Sequence, residues 1–128
     1  MRSFRERFNI VQSLGPAARD ASADGASADL QGYHGATAVI DAGAWTDGSH
    51  TFVVEDSDDD VTFAPVADGL LAGAEPVVDG APDDDQAYRI GYLGMKRYLR
   101  VAVTVAGATT GLVASASIVR TWPRKGPA

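Results

Sequence analysis

The sequence predicts an all-β fold: an antiparallel β-sandwich or jelly roll of about seven to eight short strands with an extended N-terminal arm. Apolar and polar residues alternate along several stretches, glycine-rich and aspartate-rich turns separate these stretches, and almost none of them has a helical period. The 128 residues suit a single domain. Its core is expected to be thin, because alanine and valine dominate the apolar residues and the chain has only four Phe, four Tyr and two Trp.

The first predicted strand lies in the window "RFNIVQSLGP", where one face would hold Phe8, Ile10, Gln12 and Leu14 and the other Asn9, Val11 and Ser13. Gly15 and Pro16 are expected to end it, and a first-turn helix over residues 2–8 stays open as an alternative. The small, polar stretch "AARDASADGASAD" that follows has no apolar face, which predicts a connecting arm. Residues 1–29 are therefore assigned to an N-terminal strand and arm.

A β-hairpin is predicted next, with strands at residues 36–41 and 50–55. Asp47-Gly48 supplies its tight turn. Alternation places Phe52 and Val54 on one face of the second strand, with Thr51, Val53 and Glu55 on the other. Residues 57–85 are rich in Asp, Gly and Pro and predict a long loop, in which only "VTFAPV" could form a short strand.

Alternation is clearest near the C-terminus, in three segments at residues 88–92, 98–105 and 112–121. The turns "LGMK" and "AGATTG" separate them, so we expect an antiparallel meander whose apolar face the earlier hairpin covers. The sandwich domain is thus assigned to residues 30–121 and a C-terminal tail to residues 122–128.

Two acidic runs, at residues 58–60 and 83–85, raise the question of a calcium site. An EF-hand register that starts at Asp56 fails, because Val61 falls where glycine is required and Ala67 where the bidentate glutamate belongs. A calcium site of another type between loops stays open, but solvated loop carboxylates are the ordinary interpretation. No metal ion or cofactor is predicted.

No enzyme is predicted either. The chain has no cysteine, which removes thiol chemistry and disulfides. Asp47, Ser49 and His50 are the residue types of a hydrolase triad, but neighbours on a strand point to opposite faces and no nucleophile-elbow sequence is present. The glycines of "AGATTG" and "GYLGMK" match no phosphate-binding loop and are interpreted as turns.

The charge distribution predicts a binding role for the chain ends. The net charge is -6, yet residues 1–19 and residues 120–128 each carry +3, which leaves -12 on the middle of the chain. Basic ends on an acidic body predict docking on an acidic surface of a partner or a sister subunit, the alternative being that they only keep the ends soluble. The candidate contact residues are Arg2, Arg5, Arg7, Lys96, Arg97, Trp122, Arg124 and Lys125.

Two other binding classes were weighed. Lys96, Arg97 and Arg100 beside Tyr92 and Tyr98 resemble a nucleic-acid patch, but the acidic pI of about 4.6 favours ion pairs with the acidic loops, across strands or between subunits. A sugar-stacking platform could be made by Tyr33, Trp45 and Trp122, although such aromatics are more often core or interface anchors.

No membrane association is predicted, because no apolar stretch is long enough to span a bilayer. The N-terminus is positively charged but lacks the unbroken apolar segment of a signal peptide, so we expect a soluble, unexported protein.

The stretches "GASADLQGYHGATAVIDAGAWTDGSHTFVVEDSDD", "ADGLLAG" and "YRIGYLGMKRYLRVAVTVAGATTG", with the ending "IVRTWPRKGPA", resemble a group of small tailed-bacteriophage structural proteins encoded near the major capsid protein. The resemblance covers about residues 26–128 and is most specific in "IGYLGMKRYLRVAVTVAGATTG". It implies a head decoration or cement protein with a jelly-roll or sandwich fold. Such a protein is often a trimer bound to the outer face of an HK97-type capsid, made in the bacterial cytoplasm and located on the virion exterior. It implies the major capsid protein as partner and gives no functional residues to carry over.

Overall fold

The computed structural model describes residues 5–123 and shows an all-β protein in which two antiparallel sheets pack together. Six strands have seven residues or more in the described chain: β1 (Phe8–Arg19), β4 (Tyr33–Trp45), β5 (Ser49–Ser57), β9 (Gln86–Tyr92), β10 (Tyr98–Ala106) and β11 (Leu112–Pro123). Five have two residues: β2 (Ala23–Asp24), β3 (Ala28–Asp29), β6 (Ala64–Pro65), β7 (Leu71–Ala72) and β8 (Val77–Val78). Short 3-10 turns occupy Arg5–Arg7, Asp68–Leu70 and Ala81–Asp83.

The strands divide between a first sheet in the order β1-β11-β4-β9-β7 and a second sheet in the order β2-β10-β5-β6. β3 also pairs with β10, and β8 with β5. β4 pairs with β11 in the first sheet, while β5 pairs with β10 in the second. A two-stranded ribbon therefore continues from one sheet into the other and folds over the core.

The alternation predicted from the sequence is confirmed in the core. Phe52 and Val54 are fully buried, whereas Thr51 and Val53 are half-buried on the opposite face of β5. The inward residues of β10 and β11 are also buried: Leu99, Val101, Val103, Leu112, Ala114, Ala116 and Ile118. Because many inward positions hold alanine or valine, the two sheets enclose a core built mainly of small side chains.

The predicted strand partners are wrong in two places. β4 and β5 do not form a hairpin, because they lie in different sheets and the turn at Gly48 (φ +87°) carries the chain between the sheets. The three C-terminal strands do not form a meander, because β9 and β11 belong to the first sheet and β10 to the second. Alternation identifies which side chains face a core, but a strand in either sheet of a sandwich gives the same alternation.

The N-terminal region also differs from the prediction. Gly15 and Pro16 do not end β1, which continues to Arg19 with register shifts between Gln12 and Leu14 and between Leu14 and Ala17. Such irregularities accommodate a proline within an edge strand. The connecting segment lies against the sandwich, since β2 and β3 pair with β10. The alternative helix over residues 2–8 reduces, within the described residues, to the 3-10 turn Arg5–Arg7.

The long loop expected over residues 57–85 is largely irregular, as predicted, but it contributes three of the two-residue strands. Within "VTFAPV" only β6 (Ala64–Pro65) is a strand. β7 and β8, which the sequence did not predict, extend the two sheets. They lie among glycine and proline residues, where apolar and polar residues do not alternate.

Candidate contact surface

Both ends of the described chain lie at the same end of the sandwich. Phe8, the first residue of β1, is opposite Thr121 of β11, and Tyr33, the first residue of β4, is opposite Pro123. Tyr92, the last residue of β9, pairs with Ala36 near the start of β4. We call this region the terminal end: residues 5–10, Tyr33, the loop of residues 93–97, and residues 121–123.

The terminal end brings together sequence-predicted contact residues from three separate segments. Arg5 and Arg7 lie in the 3-10 turn before β1, and Lys96 and Arg97 lie in the loop between β9 and β10. Trp122 occupies the last part of β11. The other three predicted contacts, Arg2, Arg124 and Lys125, lie outside the described residues.

Exposed apolar side chains surround these residues. Phe8 is 39% exposed, Ile10 59%, Leu93 59% and Met95 95%. Leu70, also exposed, lies beside Leu93, whose backbone N–H donates to the Leu70 carbonyl at 2.8 Å. Several large apolar side chains exposed to water at one end of a small protein are typical of an interaction surface.

Two cations of this surface, Lys96 and Arg97, are paired with carboxylates of the same chain. Arg97 donates two hydrogen bonds to the Asp29 carboxylate, both at 2.9 Å, and this contact raises the pKa of Arg97 and lowers that of Asp29. The Lys96 ammonium lies 3.9 Å from Asp56 and 4.0 Å from Asp58. One contact of the predicted pairing with the acidic runs is present within the molecule, that of Lys96 with Asp58. The other two carboxylates, Asp29 and Asp56, lie on β3 and β5.

The loop of residues 93–97 is anchored at its base by Tyr92. The Tyr92 hydroxyl donates to buried Asp56 at 2.7 Å and accepts from the Lys96 backbone N–H at 3.1 Å. Burial, with the hydrogen bond to Asp56 as a second cause, raises the pKa of Tyr92 from its ordinary value of 10 to about 12. This network holds in place the loop that presents Leu93 and Met95.

Arg120 ties four strands together behind this loop. Its guanidinium lies 4.5 Å from the centre of the Tyr33 ring and donates to the Asp29 carbonyl at 2.9 Å and to the Asn9 side chain. These contacts join β11, β4, β3 and β1. Beside them is a pocket of about 280 Å³ whose lining includes Tyr33, His34, Met95, Lys96 and Arg97.

The acidic runs have structural roles in their loops. The Asp59 carboxylate accepts hydrogen bonds from the Val61 and Thr62 N–H groups at 2.9 Å, and these bonds lower its pKa to about 2. Asp84 accepts the Trp45 N–H at 2.9 Å. Within residues 5–123 no three His, Asp or Glu side chains are arranged to hold a metal ion.

The residues considered for a hydrolase triad make other contacts. His50 is fully buried and its Nε2 is 2.9 Å from the Asp47 carbonyl. The Asp47 carboxylate accepts the backbone N–H groups of the turn before β11, the closest from Gly111 at 2.7 Å, and these bonds lower the pKa of Asp47. Asp47 and His50 therefore fix the turns at the other end of the sandwich.

The aromatic platform for sugar stacking does not form from the three predicted residues. Tyr33 and Trp45 are the first and last residues of β4, so about 40 Å of extended strand separates them. The indole Nε1 of Trp45 donates to the Gly48 carbonyl at 2.9 Å. Tyr33 is covered by Arg120, as described above.

Sequence reasoning missed the exposed apolar residues of the terminal end. Leu93 and Met95 flank Gly94 in "GYLGMK", and large apolar side chains in a turn between strands are a signal that could have identified them. Phe8 and Ile10 carried no such signal, because alternation alone assigns them to a core face as readily as to an exposed one.

Comparisons with protein-family models, with curated proteins and with solved structures give no match. Among the described residues, no helix has the length and apolar character needed to cross a bilayer.

Proposed function

We propose that this protein binds to the outside of a tailed-bacteriophage capsid as a decoration or cement protein, with the terminal end as its contact surface. The observation that carries the proposal is that two separate segments, residues 5–10 and residues 93–97, lie at the same end of the sandwich and both expose large apolar side chains. Its partner in this role is the major capsid protein. The resemblance of the sequence to phage head proteins supplies the identity of that partner.

A cement role fits the chemistry of the molecule. A protein that binds only the assembled shell stabilises the shell by mass action and needs no catalytic group. Two hydrogen bonds of the Tyr92 hydroxyl hold the loop of residues 93–97 in place before binding. The contact side chains on this loop therefore lose less conformational entropy on association.

The proposal includes a finer description of the fold and assembly. We assign the sandwich to the jelly-roll type, supported by the ribbon of β4–β5 and β10–β11 that folds from one sheet onto the other. We also propose a homotrimer, because three copies match a threefold site of an icosahedral shell.

The first experiment is to count this protein in purified phage particles by quantitative mass spectrometry against the major capsid protein. A ratio near one, or another simple lattice fraction, is expected. A ratio of a few per hundred would place the protein at the head-tail connector or tail. Absence from the particle would overturn the virion role.

A binding assay tests the proposed surface separately. We expect the double variant Leu93→Ser, Met95→Ser to bind undecorated capsids at least about tenfold more weakly than the natural protein, because two exposed anchors lose their apolar contact area. The matched control is Val113→Ser, which removes an exposed apolar side chain near the other end. Equal loss in both variants, or none in either, would contradict the assignment of the surface.

A further inference from the structure

The edges of the two sheets differ in how they are protected. The first sheet ends at β7 on one side, and the second sheet ends at β2 and β3 on one side and at β6 and β8 on the other. Within the described chain all of these edge strands have two residues. The remaining edge is β1, which has twelve residues.

The β1 edge is covered at Ser13 and open before it. The Ser13 carbonyl accepts the Ala26 N–H at 2.8 Å, so the segment that crosses to the second sheet lies against the strand at this residue. Within residues 5–123, β11 is the only strand that pairs with residues 8–12. Four of these five residues are exposed, and Val11 is half-buried.

The open segment has none of the features by which proteins block an edge. Its sequence, "FNIVQ", contains no charge, no proline and no glycine. Phe8 and Ile10 point to the same face, and both are exposed there. An uncharged edge with an apolar flank is suited to receive another strand by backbone pairing.

We propose that the occupant is a second copy of this chain, paired antiparallel through β1 about a twofold axis near Ile10. In that register Ile10 faces its own copy and Phe8 faces Gln12 of the copy, so the exposed apolar side chains of both copies form one cluster. The segment that pairs, residues 8–12, carries no charge, so no like charges face each other within it. Self-pairing of this segment is therefore free of the electrostatic cost that a charged edge would impose.

This inference does not depend on the proposed function. In the pair the Phe8 and Ile10 side chains contact the second copy, which leaves Leu93 and Met95 as the exposed apolar side chains of the terminal end for contact with a capsid.

The test uses the absence of cysteine from the natural chain. In an Ile10→Cys variant the only two thiols of a pair would lie on opposed residues, whose Cβ atoms are about 5 Å apart in an antiparallel sheet. We expect a short bis-maleimide to link most of this variant into dimers. The control is Val113→Cys, at a position that is exposed but paired with Ala18, eight residues further along β1 and thus about 26 Å from the axis. We expect it to stay unlinked.

Light scattering provides the second readout. The Ile10→Lys variant places two ammonium groups against each other at the axis, and we expect it to have half the assembled mass of the natural protein, with the pairing weakened at least about tenfold. An assembled mass equal to that of the natural protein, or equal cross-linking of the Ile10→Cys and Val113→Cys variants, would overturn the twofold pairing. If the natural protein is a monomer and the Ile10→Cys variant is not linked, the proposal is wrong: a second copy does not pair with residues 8–12 of β1.

Discussion

Asp59 makes the acidic loop of residues 58–62 sensitive to low pH. Its native pKa is about 2, whereas in the unfolded chain it has the ordinary value of 3.8. Between these pH values the unfolded state binds more protons than the native state, so the contribution of Asp59 to stability is complete above about pH 4 and is lost as the pH falls towards 2. We expect the melting temperature of Asp59→Asn to lie below that of the natural protein at pH 6, and the difference to shrink by about pH 2.5. A difference that is constant with pH would contradict this account.

Tyr92 supports the contact loop through one hydroxyl group. The change Tyr92→Phe removes the donor to Asp56, a residue that is 6% exposed, together with the acceptor for the Lys96 N–H. Because a buried polar group without its partner is costly, we expect a loss of about 1–3 kcal/mol in the free energy of unfolding, measured in urea. Tyr98→Phe is the matched control, since its ring lies 5.1 Å from the Arg97 guanidinium and the substitution keeps the ring. Equal stability of both variants would show that the Tyr92 hydroxyl does not anchor the loop.

The strands show what alternation can and cannot predict. It identified the inward side chains of β5, β10 and β11 correctly, because side-chain direction along a strand is a local property. It assigned the wrong partners to these strands, because pairing depends on which sheet each strand enters. β2, β3, β7 and β8 were beyond prediction for another reason: two residues have no period, and these strands exist only because a longer strand lies beside them.

Gly25 joins β1 to the second sheet at a point with no room for a side chain. A Cβ atom there would lie 2.5 Å from the Val101 carbonyl oxygen and 2.7 Å from that of Ser13, and it would also collide with the Ser13 hydroxyl. Because two of these neighbours are backbone atoms, they can move only if the strands separate. We therefore expect Gly25→Ala to lower the free energy of unfolding by about 1–3 kcal/mol.

The control for this crossing is Gly69→Ala. A Cβ atom at Gly69 meets no atom within 4 Å, and we expect no loss of stability beyond a few tenths of a kcal/mol. Urea unfolding of both variants measures the difference. If the two glycines behaved alike, close packing of the crossing segment against β1 and β10 would not be a source of stability.

The terminal end is assembled by the topology of the whole chain. Sequence reasoning could predict that the ends are basic, since charge is counted along the chain. It could not predict that residues 5–10 and residues 93–97 lie at the same end of the sandwich, because this follows from the antiparallel pairing of β1 with β11 and of β4 with β9. It also could not predict that Arg97 would be paired with Asp29, a residue 68 positions away.

The positions at which the first and last strands begin and end determine which charged residues can be removed without cutting into the fold. Residues 1–7 and residues 124–128 each carry +2, so the remaining chain carries -10. β1 begins at Phe8, so a chain of residues 8–123 keeps every described strand, whereas removal of residues 1–14 would cut into β1. On the proposed function, we expect this shortened chain to bind undecorated capsids more weakly than the full chain at low salt.

Salt separates the charged contribution from the apolar one. Because exposed charges are screened within about 10 Å at 0.1 M salt, binding of the full chain should weaken as salt rises, while the residual binding of the shortened chain, through Leu93 and Met95, should change little. Arg89→Glu, on an exposed residue of β9, alters the net charge by two outside the terminal end and should leave the salt dependence of the full chain unchanged. If the shortened and full chains lost affinity in parallel with salt, the basic ends would not be what the capsid recognises, and the acidic body with its exposed apolar residues would carry the contact alone.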